Sequence, residues 1–521
     1  MIRQLTVCSI SLISLSACSE WLSNDEAWVP NLAVADGSAP QAVAPFDLPG
    51  TRDFQLTNTQ PGALTGYRIF TVMQPGQQEI YSAVIQLPPE FSVNSFETIG
   101  PIGTIVGTYG FDFDTSTLGI PERVLQVRSL SATRAYVDSN LDGAYQQVEE
   151  PTIEYANTEN GPTITLISPF GGDGRDDTLS SQFFSNIVAN AVPGVLTNPV
   201  VAGDYQITAT FTSVDPDGGN DGRDNGTGED PQVLEDTMTV TIANPPLRAA
   251  VLPTSRSVPF NSPATVFATI VNNGDTTATD CEILPSSVTT TRIGFQTTDP
   301  NTNALTGTAN TPVSIPAGSS QSFLLVTTPF EEFFVGAVPF QPLQVEYLFD
   351  CANTLPAPIL PGINTLQLSA SSTPTADVIA IAATASNDGR VSTGGPNSNA
   401  AFAAAGLNIG TSESITVRPR AVLNWTGVGY ANGLDAPFND DALRVLICET
   451  TGQQGGQCLA PATADIAITF DPNVPRTFSL FVRGQGQVVT DDPARNRIFV
   501  DFVAEDGTIR GQTSVAVTTA N

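Results

Sequence analysis

The sequence predicts an all-β fold of stacked sandwiches, and three observations carry that prediction. Runs such as "YRIFTV", "EIYSAVIQL", "DYQITATFTSV", "TMTVTIA", "ATVFATIVNN", "SFLLVTT", "LQVEYLF", "FSLFVRG" and "NRIFVDFVA" are short and rich in β-branched and aromatic residues. They alternate apolar with polar positions, as half-buried strands do. Clusters of Gly, Pro, Asn and Asp ("NNGD", "PAGSS", "AEDGT") separate them, while long amphipathic helical patterns are almost absent. Sheets with one apolar face bury it against another sheet, so tandem sandwiches follow. With 521 residues the chain has room for several domains of about 150 residues each.

The N-terminal segment precedes the first strand. "MIRQLTVCSISLISLSAC", Met1 to Cys18, has a basic residue at Arg3 and an apolar run from Leu5 to Ala17, too short to span a bilayer as a helix. It reads as an export signal. Its end, Leu15-Ser16-Ala17-Cys18, resembles the lipobox of bacterial lipoproteins: an apolar residue, two small residues, then the cysteine that is lipidated. The resemblance implies processing at Cys18, a thioether-linked diacylglycerol, and an anchor of more than one acyl chain, which holds stably where one alone is marginal. By the same resemblance Ser19 after the cysteine directs sorting to the outer membrane, with the domains on its surface or its periplasmic face. Residues 19–45 are rich in small, polar and Pro residues without strand or helix periodicity and read as a flexible tether.

Composition bounds the chemistry. Asp and Glu outnumber basic residues 52 to 20, the formal charge is −32, and all the basic residues are Arg, with no Lys and no His. Nucleic acid is excluded as a partner by repulsion. Ser-His-Asp and Cys-His catalysis, imidazole-ligated zinc and lysine Schiff bases are excluded by residue type. Of the Trp residues only Trp425 falls outside the signal and tether, which leaves few aromatic platforms for a carboxylate-dependent glycoside hydrolase. The expectation is a protein that is not an enzyme.

Cys8 leaves with the signal and Cys18 takes lipid, so four cysteines remain: Cys281, Cys351, Cys448 and Cys458. In an oxidising compartment they form structural disulfides, and of three pairings the local ones, Cys281 with Cys351 and Cys448 with Cys458, are the simplest.

The second half carries an internal repeat. "VSIPAGSSQSFLLV" from Val313 aligns with "ITFDPNVPRTFSLF" from Ile468, and at the same offset "VEYL" from Val345 aligns with "VDFV" from Val500. Upstream, "CEILPSS" from Cys281 pairs with "CETTGQQ" from Cys448 once about a dozen residues are dropped from the later copy. "NPPL" near Pro245 and "SSTPTAD" near Thr373 mark the boundaries, giving domains over 246–372 and 373–521 after an N-terminal β-region over 46–245, itself one larger sandwich or two smaller ones. "ATVFATIVNNGDTTATDCEI" resembles a strand-turn-strand passage of bacterial immunoglobulin-like modules. That resemblance implies immunoglobulin-like sandwiches and no particular activity.

Candidate ligating residues sit in acidic turns. "YVDSNLDGAYQQVEEPT", Tyr136 to Thr152, places Asp138, Asn140, Asp142, Gly143 and Glu149 at the positions of an EF-hand loop. The flanks are wrong for a sensor: "VLQVRSLSATRAYV" alternates like a strand and Pro151 follows almost at once. The reading is a calcium loop in a β context, resembling the Asp-x-Asn-x-Asp-Gly loops of bacterial surface proteins. Asp138, Asn140, Asp142 and Glu149 would give side-chain oxygens and Ala144 its carbonyl. A plain Asx-rich hairpin turn is the rival. "DPDGGNDGRDNGTGED" concentrates six carboxylates, among them Asp215, Asp217, Asp221 and Asp224, around glycines, and reads equally as a second calcium loop or a solvated flexible one.

The function expected from the sequence is a non-catalytic, lipid-anchored envelope protein. Calcium-stabilised β-domains would serve adhesion to a protein or polysaccharide ligand, or spacing. The alternatives are a subunit of an extracellular or envelope assembly, joined by strand addition or calcium bridging, and a carboxylate-dependent hydrolase.

Overall fold

The computed structural model describes residues 52–72, 79–95, 102–103, 105–111, 123–138, 143–146, 150–167, 186–214, 232–285, 291–329, 343–423, 442–451 and 456–520. Within them the chain is built from strands, with no helix. The signal, Cys18 and the tether lie outside the described residues.

The N-terminal strands are β1 (Arg52–Leu56), β2 (Leu64–Val72), β3 (Glu79–Gln86), β4 (Ser92–Val93), β5 (Ile105–Phe111), β6 (Arg123–Ser131), β7 (Arg134–Asp138), β8 (Thr152–Thr158), β9 (Gly161–Ile167), β10 (Asn186–Thr197), β11 (Gly203–Val214) and β12 (Gln232–Ile242). They form one sheet in the order β1-β2-β10-β5-β6-β7-β8-β9-β3-β11-β12, with β4 added on β10. The sheet rolls round a single apolar core to which Phe54, Val127, Ile153, Leu196 and Ile242 all contribute. Two contacts show the rolling. The Tyr67 and Tyr155 hydroxyls, from β2 and β8, meet at 2.8 Å inside the core, and the Ala243 amide, just past β12, donates to the Thr59 carbonyl just past β1 at 2.9 Å. Burial of the two phenols pushes both pKa values well up, so they stay neutral and hydrogen-bonded. Between the one-sandwich and two-sandwich readings of this region, the structure gives one continuous sheet with one core.

Next come β13 (Leu247–Leu252), β14 (Ser255–Pro259), β15 (Ala264–Asn272), β16 (Ala278–Pro285), β17 (Thr291–Thr298), β18 (Val313–Ile315), β19 (Ser320–Pro329), β20 (Leu343–Asp350) and β21 (Thr365–Ser371). They make two facing sheets, β13-β15-β19-β17 and β14-β21-β20-β16-β18. Along β15 buried and half-buried residues alternate without a break, the period-two signature that the sequence showed. Strand β14 runs parallel to β21, the one parallel pair of this sandwich among the described residues.

The last nine strands are β22 (Val378–Ala383), β23 (Arg390–Ser392), β24 (Asn399–Asn408), β25 (Glu413–Val422), β26 (Leu443–Thr450), β27 (Ile466–Phe470), β28 (Pro475–Gly484), β29 (Arg497–Ala504) and β30 (Ile509–Thr518). Their sheets, β22-β24-β28-β26 and β23-β30-β29-β25-β27, repeat the previous topology strand for strand, including the parallel pair β23 with β30. The chain is therefore all-β with tandem immunoglobulin-like sandwiches at its C-terminal end.

The repeat holds where the sequence aligned it downstream: β18 and β19 correspond to β27 and β28, and β20 to β29. Upstream it does not. Cys281 lies on β16, whose counterpart is β25, whereas Cys448 lies on β26, the counterpart of β17 in the opposite sheet. The shared Cys-Glu dipeptide is a local coincidence, because strand register is set by partner strands and by which face is buried.

Candidate functional site

The β6–β7 hairpin positions the first carboxylate of the acidic loop. Gln126 pairs with Asp138 at the hairpin's open end, and the Asp138 side chain is completely buried. Its Oδ2 accepts hydrogen bonds from Arg128 Nε at 2.6 Å and from the Gly143 amide at 3.1 Å. Arg128 also donates through Nη1 to the Gly103 carbonyl at 3.2 Å. Gly143 has φ +75°, a conformation that favours glycine and turns its amide back onto the aspartate. Asp138 Oδ1 is equally buried and has no hydrogen-bond partner among the described residues. A buried carboxylate oxygen left unpaired costs free energy on the order of 1–3 kcal/mol unless something occupies it.

A hard cation takes carboxylate oxygens of this kind in sets of several, and the Arg128 pair already supplies part of the neutralisation that a cation would bring. Ala144 is exposed. Asn140, Asp142 and Glu149 lie outside the described residues, as do Asp215, Asp217, Asp221 and Asp224. Among the described residues no group of three or more acidic, Cys or His side chains is placed to hold a metal ion. Glu150, which the loop pattern passed over in favour of Glu149, is buried. Its Oε2 accepts from the Gln146 amide at 2.9 Å and its own amide donates to the Gln146 carbonyl at 3.1 Å.

A second carboxylate pair stands beside a disulfide. Cys281 bonds Cys351 between β16 and the end of β20, and Cys448 bonds Cys458 from β26 to the loop after it. One register step from Cys281, Glu282 faces Asp350 directly across the two strands. Burial pushes the Asp350 carboxyl up to about 6, against a hydrogen bond from the Cys351 amide that favours the charged form, with the Glu282 charge adding to the rise. Glu282 is raised as well, by burial and by Asp280. Neither residue was singled out from the sequence, because strands β16 and β20 are far apart along the chain and only their pairing brings the charges together.

The third constellation joins the two C-terminal sandwiches. Arg256 on β14 reaches Asp377, the residue before β22, through Nη2 to Oδ2 at 2.8 Å and Nε to Oδ2 at 3.0 Å. The Ser257 amide donates to Asp377 Oδ1 at 2.9 Å, and Arg256 Nη1 turns back to the Thr265 carbonyl. Ser255 Oγ accepts from the Gln512 amide at 2.5 Å, Thr254 Oγ1 donates to the Gln512 carbonyl at 3.2 Å, and Ser369 Oγ donates to the Ile509 carbonyl at 2.7 Å. Gln512 continues inward: its Nε2 donates to Asp501 Oδ1 at 2.6 Å, and Asp501 Oδ2 accepts from Arg420 Nε at 2.8 Å. Arg420, fully buried, lies over the Phe499 ring at 5.3 Å.

The segment from Ala352 to Asn364 between β20 and β21 touches both neighbours. The Ile359 amide donates to the Thr57 carbonyl of the N-terminal body at 3.1 Å. Gly362 packs so closely on Phe499 that a Cβ there would lie 2.9 Å from the ring, and its φ of +70° also favours glycine.

No known protein family and no curated protein matches this chain. Among solved structures it is similar to a red sea bream transglutaminase (11% identity over 53% of this chain and 31% of that one, TM-score 0.15). It is also similar to a protein described as membrane anchored from Corynebacterium diphtheriae (10% identity over 90% of this chain and 91% of that one, TM-score 0.14). A third similarity is to domains 4–9 of the surface layer protein SbsC (11% identity over 83% of this chain and 47% of that one, TM-score 0.15). The chain thus spans less than half of the transglutaminase and of the surface-layer fragment. At these TM-scores the similarities carry no argument about what the chain does.

Proposed function

We propose that this chain is a non-catalytic protein of the bacterial cell envelope, lipid-anchored at Cys18 to the outer membrane, whose β-domains act as a stiff spacer presenting a protein- or polysaccharide-binding surface. The observation that carries the spacer reading is the buried joint: Arg256, Asp377 and the Ser255–Gln512 contacts leave the two C-terminal sandwiches little freedom to swing. Unlike a flexible linker, such a joint transmits position from one end of the array to the other. Export is supported by the Met1–Cys18 segment and by two disulfides, Cys281–Cys351 within an apolar core and Cys448–Cys458 running to an exposed loop, which suit an oxidising compartment. The acid-rich, Lys-free and His-free composition supports a structural over a catalytic role. In this reading, calcium at the Asp138 loop is a structural staple of the N-terminal body.

Protease treatment of intact, outer-membrane-permeabilised and lysed cells, with the C-terminal sandwich followed by immunoblot, tests the proposal. Cleavage on intact cells means surface display, and cleavage on permeabilisation means a periplasmic face. Protection until the cells are lysed places the chain in the cytoplasm and overturns the proposal.

A further inference from the structure

Arginine is scarce in this chain, and the structure uses it fully. Among the arginines whose side chains are described, Arg444 and Arg483 are the ones without an ion pair, a hydrogen bond or another charged or ring contact. These two stand directly opposite each other across β26 and β28, and both are exposed. Like charges directly opposed on a sheet destabilise it by a few tenths of a kcal/mol up to about 1 kcal/mol. Although the chain has 52 acidic residues, no carboxylate among the described ones pairs with either arginine.

The surroundings make a surface of the pair. Two residues along the same face, Leu446 stands opposite Phe481, which is 42% exposed, and the next strand adds Asn399 opposite Arg483 and Ala401 opposite Phe481. Two guanidiniums therefore border an apolar shelf on an open sheet face. The preceding sandwich supplies an internal comparison. At the equivalent positions of β17 and β19 it has Arg292 opposite Thr328 and Gly294 opposite Val326. The second arginine and the aromatic belong to the last sandwich alone.

We propose that the Arg444–Arg483 face is a docking surface for the acidic segment 215–230 of a second copy of this chain. That segment, outside the described residues, holds six carboxylates and a single arginine over its length, the charge complement of an arginine pair left unmatched among the described residues of its own sandwich. Arg guanidiniums take carboxylates in bidentate geometry, and an adjacent aromatic shelf shields such pairs from water. The contact is heterologous, N-terminal body to C-terminal sandwich, so it propagates into a chain of copies or closes into a ring. The net charge of −32 opposes association at long range. At physiological ionic strength that repulsion is screened beyond about 8 Å, and the close contacts remain. The inference does not depend on Cys18 being lipidated.

Sedimentation of the purified full chain at physiological salt tests it, using wild type, a double variant Arg444→Glu/Arg483→Glu, and a variant carrying Asp215→Arg, Asp217→Arg, Asp221→Arg and Asp224→Arg. The expected result is concentration-dependent association of the wild type, weakened at least tenfold in each variant alone and restored when the two variants are mixed. All substituted positions are exposed or outside the described core, and circular dichroism confirms that each variant folds. Three results would overturn the inference: a wild type that stays monomeric at every concentration, variants that associate as well as wild type, or a mixture that fails to recover.

Discussion

Arg256 and Asp377 form a doubled hydrogen bond across the junction of the two C-terminal sandwiches, with both side chains close to fully buried. A pair in that position contributes little net stability compared with apolar residues, because both charges have left water. Removing one partner is another matter, since the other stays buried and uncompensated, at about 3–5 kcal/mol. Asp377→Ala is expected to lower stability by about that amount and to uncouple the sandwiches. Calorimetry checks this: the wild type should melt the two sandwiches in one transition, and the variant in two.

The disulfides give a second expectation. On the chain-entropy account the long Cys281–Cys351 loop contributes about 4 kcal/mol and the short Cys448–Cys458 loop about 3 kcal/mol. Cys281→Ser/Cys351→Ser should therefore lower the temperature of the shared transition more than Cys448→Ser/Cys458→Ser does. Thermal unfolding of each double variant, with and without reductant, measures both.

The carboxylates beside the first disulfide give the chain a pH dependence of definite sign. Asp350 has a folded pKa raised to about 6, above its unfolded value. A raised folded pKa means that the native state holds the extra proton. Its stabilising contribution is complete below about pH 4 and is lost as pH rises through about 6. Glu282 shifts in the same direction. Raising the pH from 5 to 7 should thus cost the wild type on the order of 1–2 kcal/mol that Asp350→Asn does not lose. Denaturant titrations of both proteins at the two pH values give the comparison.

How much of this was legible in sequence differs from residue to residue. The alternation of β15 and β28 is a local property, since successive side chains must point to opposite faces, and it shows in any window of about six residues. Likewise the 313–326 and 468–481 segments could be superposed because β19 and β28 are central strands with the same faces to bury. Arg256 with Asp377, Arg420 with Asp501, and Glu282 with Asp350 could not be read, because each pair is made by strands brought together only in the fold. The turn that brings the Gly143 amide onto Asp138 was legible through the Asx-Gly loop pattern. The Arg128 partner of Asp138 was not, although the two are only ten residues apart, because the hairpin register between β6 and β7 carries a bulge that shifts who faces whom.

The orphaned Asp138 oxygen yields a metal-removal prediction. If calcium occupies it, chelator should lower the melting temperature of the wild type, and Asp142→Ala should abolish that chelator effect. Asp138→Ala alone is less diagnostic, because it also strips Arg128 of its carboxylate. An unchanged melting curve on adding chelator to the wild type would leave the loop as a plain Asx turn.

The most direct test of the account as a whole is the mass of the mature N-terminus, taken from the membrane fraction of cells making the wild type or Cys18→Ser. The account predicts that the wild type begins at Cys18 carrying a diacylglycerol and an N-acyl chain, and that the variant loses both the lipid and the membrane association. A wild type found unprocessed from Met1, or cleaved elsewhere and without lipid, would contradict it.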